Sequence, residues 1–257
     1  MAKILMGCFF ILMGILMACS NDATGSAEYE KDHVHIFAAA SLGEVLGELT
    51  KAYEEKHQSQ IKINFESSGT LARQIIQGAD PDIYLSANRK WVNYVDSLGF
   101  IQGDIAEVGK NRLVLVSPKE SELSHMELDS TLNLLELLGG NRLSVGDPMH
   151  VPAGMYAKEA LLYFAWDYIL KDHILPAKDV RAALRVVELG EAPLGIVYRT
   201  DAIKSEQVKI MDEFPAPSHS PIEYLAALCK DNQAAKGFFV FLRSDKSKSI
   251  WQKYGFE

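Results

Sequence analysis

The sequence predicts an α/β protein with largely parallel sheets, and three observations carry that prediction. Short apolar runs recur along the chain, and most give way to segments whose apolar residues have helical spacing. The junctions are small or hydroxyl-bearing residues, as at Ala40-Ser41, Ser67-Ser68-Gly69 and Pro152-Ala153-Gly154. Hydrophobic residues make up 48% of the chain, enough for a substantial core. Strand then helix, repeated, is the pattern of parallel strands joined by crossover helices.

Met1–Cys19 stands apart from that pattern. Lys3 precedes the apolar run Ile4–Met17, which ends in Leu16-Met17-Ala18-Cys19. The run is too short for a comfortable membrane span and reads as a secretory signal over residues 1–18. Leu16 and Ala18 resemble the bacterial lipoprotein cleavage box, with Met17 a less usual occupant. Cys19 is therefore expected to become a lipidated N-terminus, with 19–32 as a polar tether. The alternative is a plain signal peptide with an incidental cysteine. Of the three cysteines, Cys8 leaves with the leader and Cys229 sits alone in the apolar run Tyr224–Cys229, as a small buried hydrophobe. No CxxC pair or His/Cys metal spacing is visible. The formal charge is −8 with no basic block, which argues against nucleic acid or an anionic lipid surface as partner.

Val34–Ala40 is the first strand, nearly all apolar and so expected to be buried on both faces. Ser41 follows at once, and Leu42–Lys56 has Leu42, Val45, Leu46, Leu49 and Tyr53 on one helical face, so Ser41 is an N-cap candidate. Ile61–Phe65 alternates as a strand, and Ser67-Ser68-Gly69-Thr70 leads into a helix over Leu71–Gln77. Arg73 in that helix reads as solvent-facing or as half of a core-edge salt bridge rather than as an anion contact. Asp82–Ser86 is a strand, Trp91–Ser97 a helix, Arg112–Val116 a strand, and Leu128–Leu138 a helix stopped by Gly139-Gly140. Leu143–Val145 is a strand closed by Gly146-Asp147-Pro148, and Met155–Leu170 a helix after Pro152-Ala153-Gly154. Val180–Glu188 is helical with Gly190 as its stop, and Leu194–Val197 is a strand leading to Tyr198. Val208–Met211 and Ile222–Cys229 are strands, and Asn232–Leu242 and Ser247–Lys253 close the chain as helices.

The candidate functional groups are neutral hydrogen-bond donors at the carboxyl ends of strands, where ligands sit in open α/β sheets. A helix start offers unpaired backbone N–H groups and the positive end of a dipole, which together favour an anion. Ala153 and Gly154 carry no bulk to hold a ligand away from such a backbone.

Four stretches carry a family resemblance: FAAASL at 37–42, SSGTLARQI at 67–75, VGDPMHVPAGMYAKEAL at 145–161 and EAPLGIVYRTDA at 191–202. The chain from about Val34 to Phe256 resembles the molybdate-binding periplasmic proteins of ABC transporters. The resemblance implies a type II periplasmic binding protein fold, two α/β lobes joined by a hinge. Lobe 1 would be 33–109 plus 222–257 and lobe 2 would be 110–221. It implies a tetrahedral oxyanion, molybdate or tungstate, held by Ser41, Ser68, Ala153, Val180 and Tyr198 through hydroxyls and backbone N–H groups. Molybdenum would be present only within the oxyanion, without a direct protein ligand. The resemblance further implies no enzymatic activity, no cofactor, a monomer, and delivery to an importer permease and its ATPase at the cell envelope. Gly69 departs from the family pattern, which often has a further serine there; its absence removes a local hydrogen bond and leaves Ser68 in place.

Two other readings are set against this one. Ser41 at a strand-to-helix turn superficially suggests a hydrolase nucleophile, but Ala40-Ser41-Leu42-Gly43 lacks the GxSxG pattern and the seven histidines are scattered. Sulfate, another tetrahedral anion, is also suited by neutral donors.

Overall fold

The computed structural model describes residues 32–257. The leader, Cys8, Cys19 and all but the last residue of the expected tether lie outside the described residues. Among the described residues, ten strands form two five-stranded sheets. The first sheet has the order β2-β1-β3-β10-β4, with β1 Asp32–Ala39, β2 Ser59–Glu66, β3 Ile83–Ser86, β4 Ile105–Asn111 and β10 Ile222–Leu228. The second has the order β7-β6-β8-β5-β9, with β5 Leu113–Pro118, β6 Leu143–Gly146, β7 Ile174–Ala177, β8 Leu194–Tyr198 and β9 Val208–Glu213. In each sheet four of five strands run the same way, and the reversed strand is β10 in the first and β5 in the second. The fold is thus α/β and two-lobed, with each sheet mostly parallel.

The chain passes between the sheets twice. Arg112 alone separates β4 from β5, and residues 214–221 separate β9 from β10. Both reversed strands are the ones that have just arrived from the other sheet.

The helices are α1 Gly43–Glu54, α2 Ser68–Ile76, α3 Arg89–Ser97, α4 Leu134–Leu137, α5 Pro152–Tyr163, α6 Asp167–Leu170, α7 Val180–Glu188, α8 Arg199–Ala202, α9 Gln233–Phe241 and α10 Asp245–Lys253. They cover the sheets with apolar stripes. In α1, Val45, Leu46, Leu49 and Tyr53 are buried, each leucine stabilising the core by roughly 1.5–3 kcal/mol. Helix α7 buries Val180, Ala183, Leu184 and Val187 and stops where Gly190 takes φ +72°, its N–H bonding to the Val187 carbonyl.

Several elements differ from expectation for local reasons. Helix α4 is only Leu134–Leu137, because Asp129 Oδ1 accepts from the N–H groups of Thr131 and Leu132 and holds that stretch in a turn. The helix expected over Met155–Leu170 begins earlier, at Pro152, and breaks after Tyr163. There Ala165 sits at φ +58° and the Trp166 N–H reaches back to the Leu161 carbonyl. Strands β4 and β7 were not expected. In β7 the obstacle is Pro176, tolerated because β7 lies at a sheet edge. Strand β1 is less enclosed than its apolar run suggests, since His33 and His35 are exposed.

Candidate anion site between the two sheets

Six strands end at one place. Their carboxyl ends carry Ala40 and Ser41 after β1, Ser67 and Ser68 after β2, Ala87 after β3, Val151–Ala153 after β6, Asp179 and Val180 after β7, and Tyr198 at the end of β8. Together these residues enclose a single cavity between the sheets. It is small, with room for about one water molecule. Polar contacts also cross between the lobes. The Tyr156 hydroxyl donates to the Ala87 carbonyl at 3.3 Å, and Arg181 Nη2 lies 3.1 Å from Glu44 Oε1.

Ser41, Ser68, Ala153, Val180 and Tyr198 all line this cavity. Ser41 does not cap its helix. The chain makes a 3-10 turn over Ala40–Leu42 before α1, and the Ser41 hydroxyl instead pairs with Tyr224 Oη at 2.8 Å. In the next unit the cap is Ser67, which accepts from the Thr70 N–H. Ser68 is thereby left in the first helical turn, and its oxygen accepts from the Ala87 N–H at 3.0 Å. Its proton has no assigned partner among the described residues. Tyr198 Oη is buried with no hydrogen-bond partner among the described residues. Burial holds its phenol well above the ordinary value, so it remains a donor.

Three helices point their N-termini inward. In α2, α5 and α7 the first intrahelical bonds are made by Leu71, Met155 and Ala183, whose N–H groups reach the carbonyls of Ser67, Val151 and Asp179. The N–H groups ahead of them, including those of Ala153 and Val180, have no helical acceptor. Pro152 at the start of α5 has no N–H to waste, and makes Ala153 the first donor of that helix. Partial positive charge therefore converges on the cavity without a cationic side chain in its lining.

One carboxylate does line it. Asp179 caps α7, its Oδ1 accepting from the Ala182 N–H at 2.8 Å, and its Oδ2 lies 3.7 Å from Lys178 Nζ. Its acceptor capacity is turned toward the helix and Lys178. Behind the site, Arg181 Nε approaches Asp201 Oδ1 at 2.8 Å, without hydrogen-bond alignment. Asp201 is 1% exposed, and burial, opposed by Arg181, pushes its pKa up to about 7.

Two close approaches set the walls. A Cβ on Gly154 would fall 1.9 Å from the Gly146 carbonyl oxygen, so only glycine lets the α5 start sit against the end of β6. A Cβ on Gly69 would fall 2.3 Å from the His150 carbonyl oxygen and 2.7 Å from the Trp91 ring. Gly69 therefore does more than omit a hydroxyl: it is where the two lobes touch beside Ser68. Arg73 is exposed, as its sequence position suggests. Cys229 is buried, and its thiol is pushed up to about 12 by burial.

The described residues from Val34 onward match one protein-family model along their whole length. That model, Bacterial extracellular solute-binding protein, covers residues 34–257. The chain belongs to this solute-binding family. It is 41% identical over 243 residues to the molybdate-binding protein ModA of Escherichia coli K12, covering 93% of this chain and 94% of that one. It is 39% identical over 248 residues to the putative ABC transporter substrate-binding lipoprotein YvgL of Bacillus subtilis 168, covering 94% and 93%. Among solved structures it matches the periplasmic molybdate-binding protein of Azotobacter vinelandii with a TM-score of 0.74 and 22% identity, over 87% of this chain and 98% of that one. These relatives are binding proteins by name, and the two-lobed architecture is shared with that solved solute-binding protein. Ala40, Ser67, Ala87, Val151, Pro152 and Asp179 line the cavity as well. Sequence reasoning had not singled them out as contacts. Their only sequence signal is adjacency to the serines and helix starts already singled out.

Proposed function

We propose that this solute-binding protein captures molybdate or tungstate in the inter-lobe cavity and delivers it to an ABC importer. The observation that carries the reading is the donor set: three helix starts and the hydroxyls of Ser41, Ser68 and Tyr198 around one small cavity between the lobes. Fixed neutral donors in a water-poor cavity suit a fully deprotonated oxyanion. Lobe 1 (33–109 plus 222–257) carries Ser41 and Ser68, and lobe 2 (110–221) carries the other three contacts, so the ion stabilises closure by touching both. The hydrolase reading is disfavoured by the partner of Ser41, which is the Tyr224 hydroxyl rather than an imidazole. Cys19 is proposed as the lipid anchor, in keeping with the lipoprotein named among the relatives. Cys19→Ala should lose metabolic fatty-acid label, and full labelling of the variant would refute the anchor.

Calorimetry on the leaderless protein tests the main reading. Molybdate and tungstate should bind tightly and almost equally, with sulfate and phosphate far weaker. Sulfate has shorter bonds to oxygen and cannot meet donors from both lobes at good distance once closure stops. Ser41→Ala, Ser68→Ala and Tyr198→Phe should each weaken molybdate by roughly 1.5–3 kcal/mol, the worth of a hydrogen bond to a charged partner. Sulfate displacing molybdate at comparable concentration moves the protein to the sulfate class.

A further inference from the structure

The hydroxyl of Ser41 has its polarity set from outside the cavity, and a proton count shows how. The Arg112 N–H points at Asn111 Oδ1 at 2.8 Å, and the Thr200 N–H points at the same oxygen at 3.4 Å. Backbone N–H groups only donate, so that atom of the Asn111 amide is the oxygen. Its Nδ2 must then be the atom 2.8 Å from Thr200 Oγ1 and 3.2 Å from Tyr224 Oη. An amide NH₂ has no lone pair to offer, so Tyr224 accepts there. The single Tyr224 proton is left for Ser41 Oγ, 2.8 Å away. Ser41 thus accepts from Tyr224 and keeps its own proton for the cavity. All of these groups except Arg112 are buried.

We propose that Asn111 and Tyr224 are positioning residues that lock Ser41 as a donor, and so set the site's preference for a fully deprotonated tetrahedral anion over a protonated one of similar size. The inference rests on the anion-binding reading above. Ser68 is locked in the same sense by the Ala87 N–H, so of the three hydroxyls only Tyr198 has an oxygen on which no internal donor sits.

The test separates polarity from size. Selenate and hydrogen arsenate are tetrahedral dianions of closely similar dimensions near pH 8, and only the second carries a proton. Each is titrated against bound molybdate on wild type, Tyr224→Phe, Asn111→Asp and Ser41→Ala. Tyr224→Phe frees the Ser41 oxygen to accept, and the preference for selenate over arsenate should shrink by about tenfold, the effect of one hydrogen bond to a charged partner. Asn111→Asp turns Tyr224 into a donor to the new carboxylate and makes Ser41 point its proton away. The preference should shrink at least as far, because the added charge acts on both dianions alike and cancels in the ratio. Ser41→Ala should weaken both anions and leave the ratio near the wild-type value, since no acceptor is created. A ratio unchanged in both Tyr224→Phe and Asn111→Asp overturns the proposal, even if overall affinity falls. Wild type failing to bind molybdate at all refutes the anion-binding reading itself, a result seen before any variant is made.

Discussion

Gly69→Val should abolish molybdate binding while leaving the apo protein folded. The Gly69 backbone has ordinary helical geometry at the start of α2, so valine brings no backbone strain, although the Trp91 ring of the same lobe must shift to admit it. The obstruction comes from the other lobe, because even a Cβ would meet the His150 carbonyl oxygen at 2.3 Å. A backbone oxygen cannot turn aside as a flexible side chain can, and the Trp91 ring at 2.7 Å closes the remaining direction. The lobes must then stop short, and Ala153, Val180 and Tyr198 lose reach to an ion held by Ser41 and Ser68. Three donors at roughly 1.5 kcal/mol each amount to a loss on the order of 1,000-fold. Calorimetry reads the loss, and thermal unfolding without ligand should change by no more than a few degrees. Small-angle scattering should show no contraction of the variant when molybdate is added. Wild-type affinity in Gly69→Val would mean that the lobes do not meet at this point when the ion is bound.

Arg181→Met should destabilise the protein by about 2 kcal/mol at pH 8, because a buried carboxyl with a pKa of about 7 escapes a stranded charge by taking up a proton at about 1.4 kcal/mol per pH unit. The effect should shrink to about 1 kcal/mol or less at pH 5, where a lost partner no longer strands a charge. The sign follows from Asp201. Its pKa is raised in the fold to about 7 by burial, so between about pH 4 and 7 the native state holds a proton that the unfolded chain has released. Wild-type stability from this group therefore falls as pH rises through that window, and above it Asp201 is an anion with Arg181 as its near neighbour. Glu44, Asp179, Tyr198 and Tyr224 add no positive charge to replace it. The loss of the Arg181–Glu44 contact itself counts for little, because Glu44 is 48% exposed. Denaturant melts at the two pH values decide the matter, and an equal loss at both would show that Asp201 is not the group responsible.

Neither of those residues announces its part in the sequence. Ser41, Ser68 and the Pro152-Ala153-Gly154 turn stand out because the features that bring them to the cavity are local: a strand end, a cap, a proline that lacks an N–H. Arg181 and Asp201 look like ordinary polar residues of two short helices until the fold sets them 2.8 Å apart. Tyr224 reads as one more apolar residue of a strand, and only its approach to Ser41 across 183 positions gives its hydroxyl a task. Strand β4 escaped notice for a related reason. Glu107, Gly109 and Lys110 break its apolar pattern, and its place beside β10 is settled by pairing across the sheet rather than by its own composition. Gly69 is the instructive case in between, legible as a departure from a pattern but with its role set by a carbonyl from the far lobe.

The two passages of the chain between the sheets make each half depend on the other. Strands β1–β5 and β6–β10 are wired alike: in each half the first four strands build one sheet in the order second, first, third, fourth, and the fifth leaves to slot between the third and fourth of the other. The exchange is reciprocal, as in a strand-swapped pair. Neither half can complete its sheet without the strand lent by its twin. The contributions to the cavity follow the same pairing, with Ser41 after β1 answering the α5 start after β6, Ser68 answering Val180, and Ala87 answering Tyr198. The pocket lies on the seam between two halves of like wiring, and belongs to the join rather than to either half.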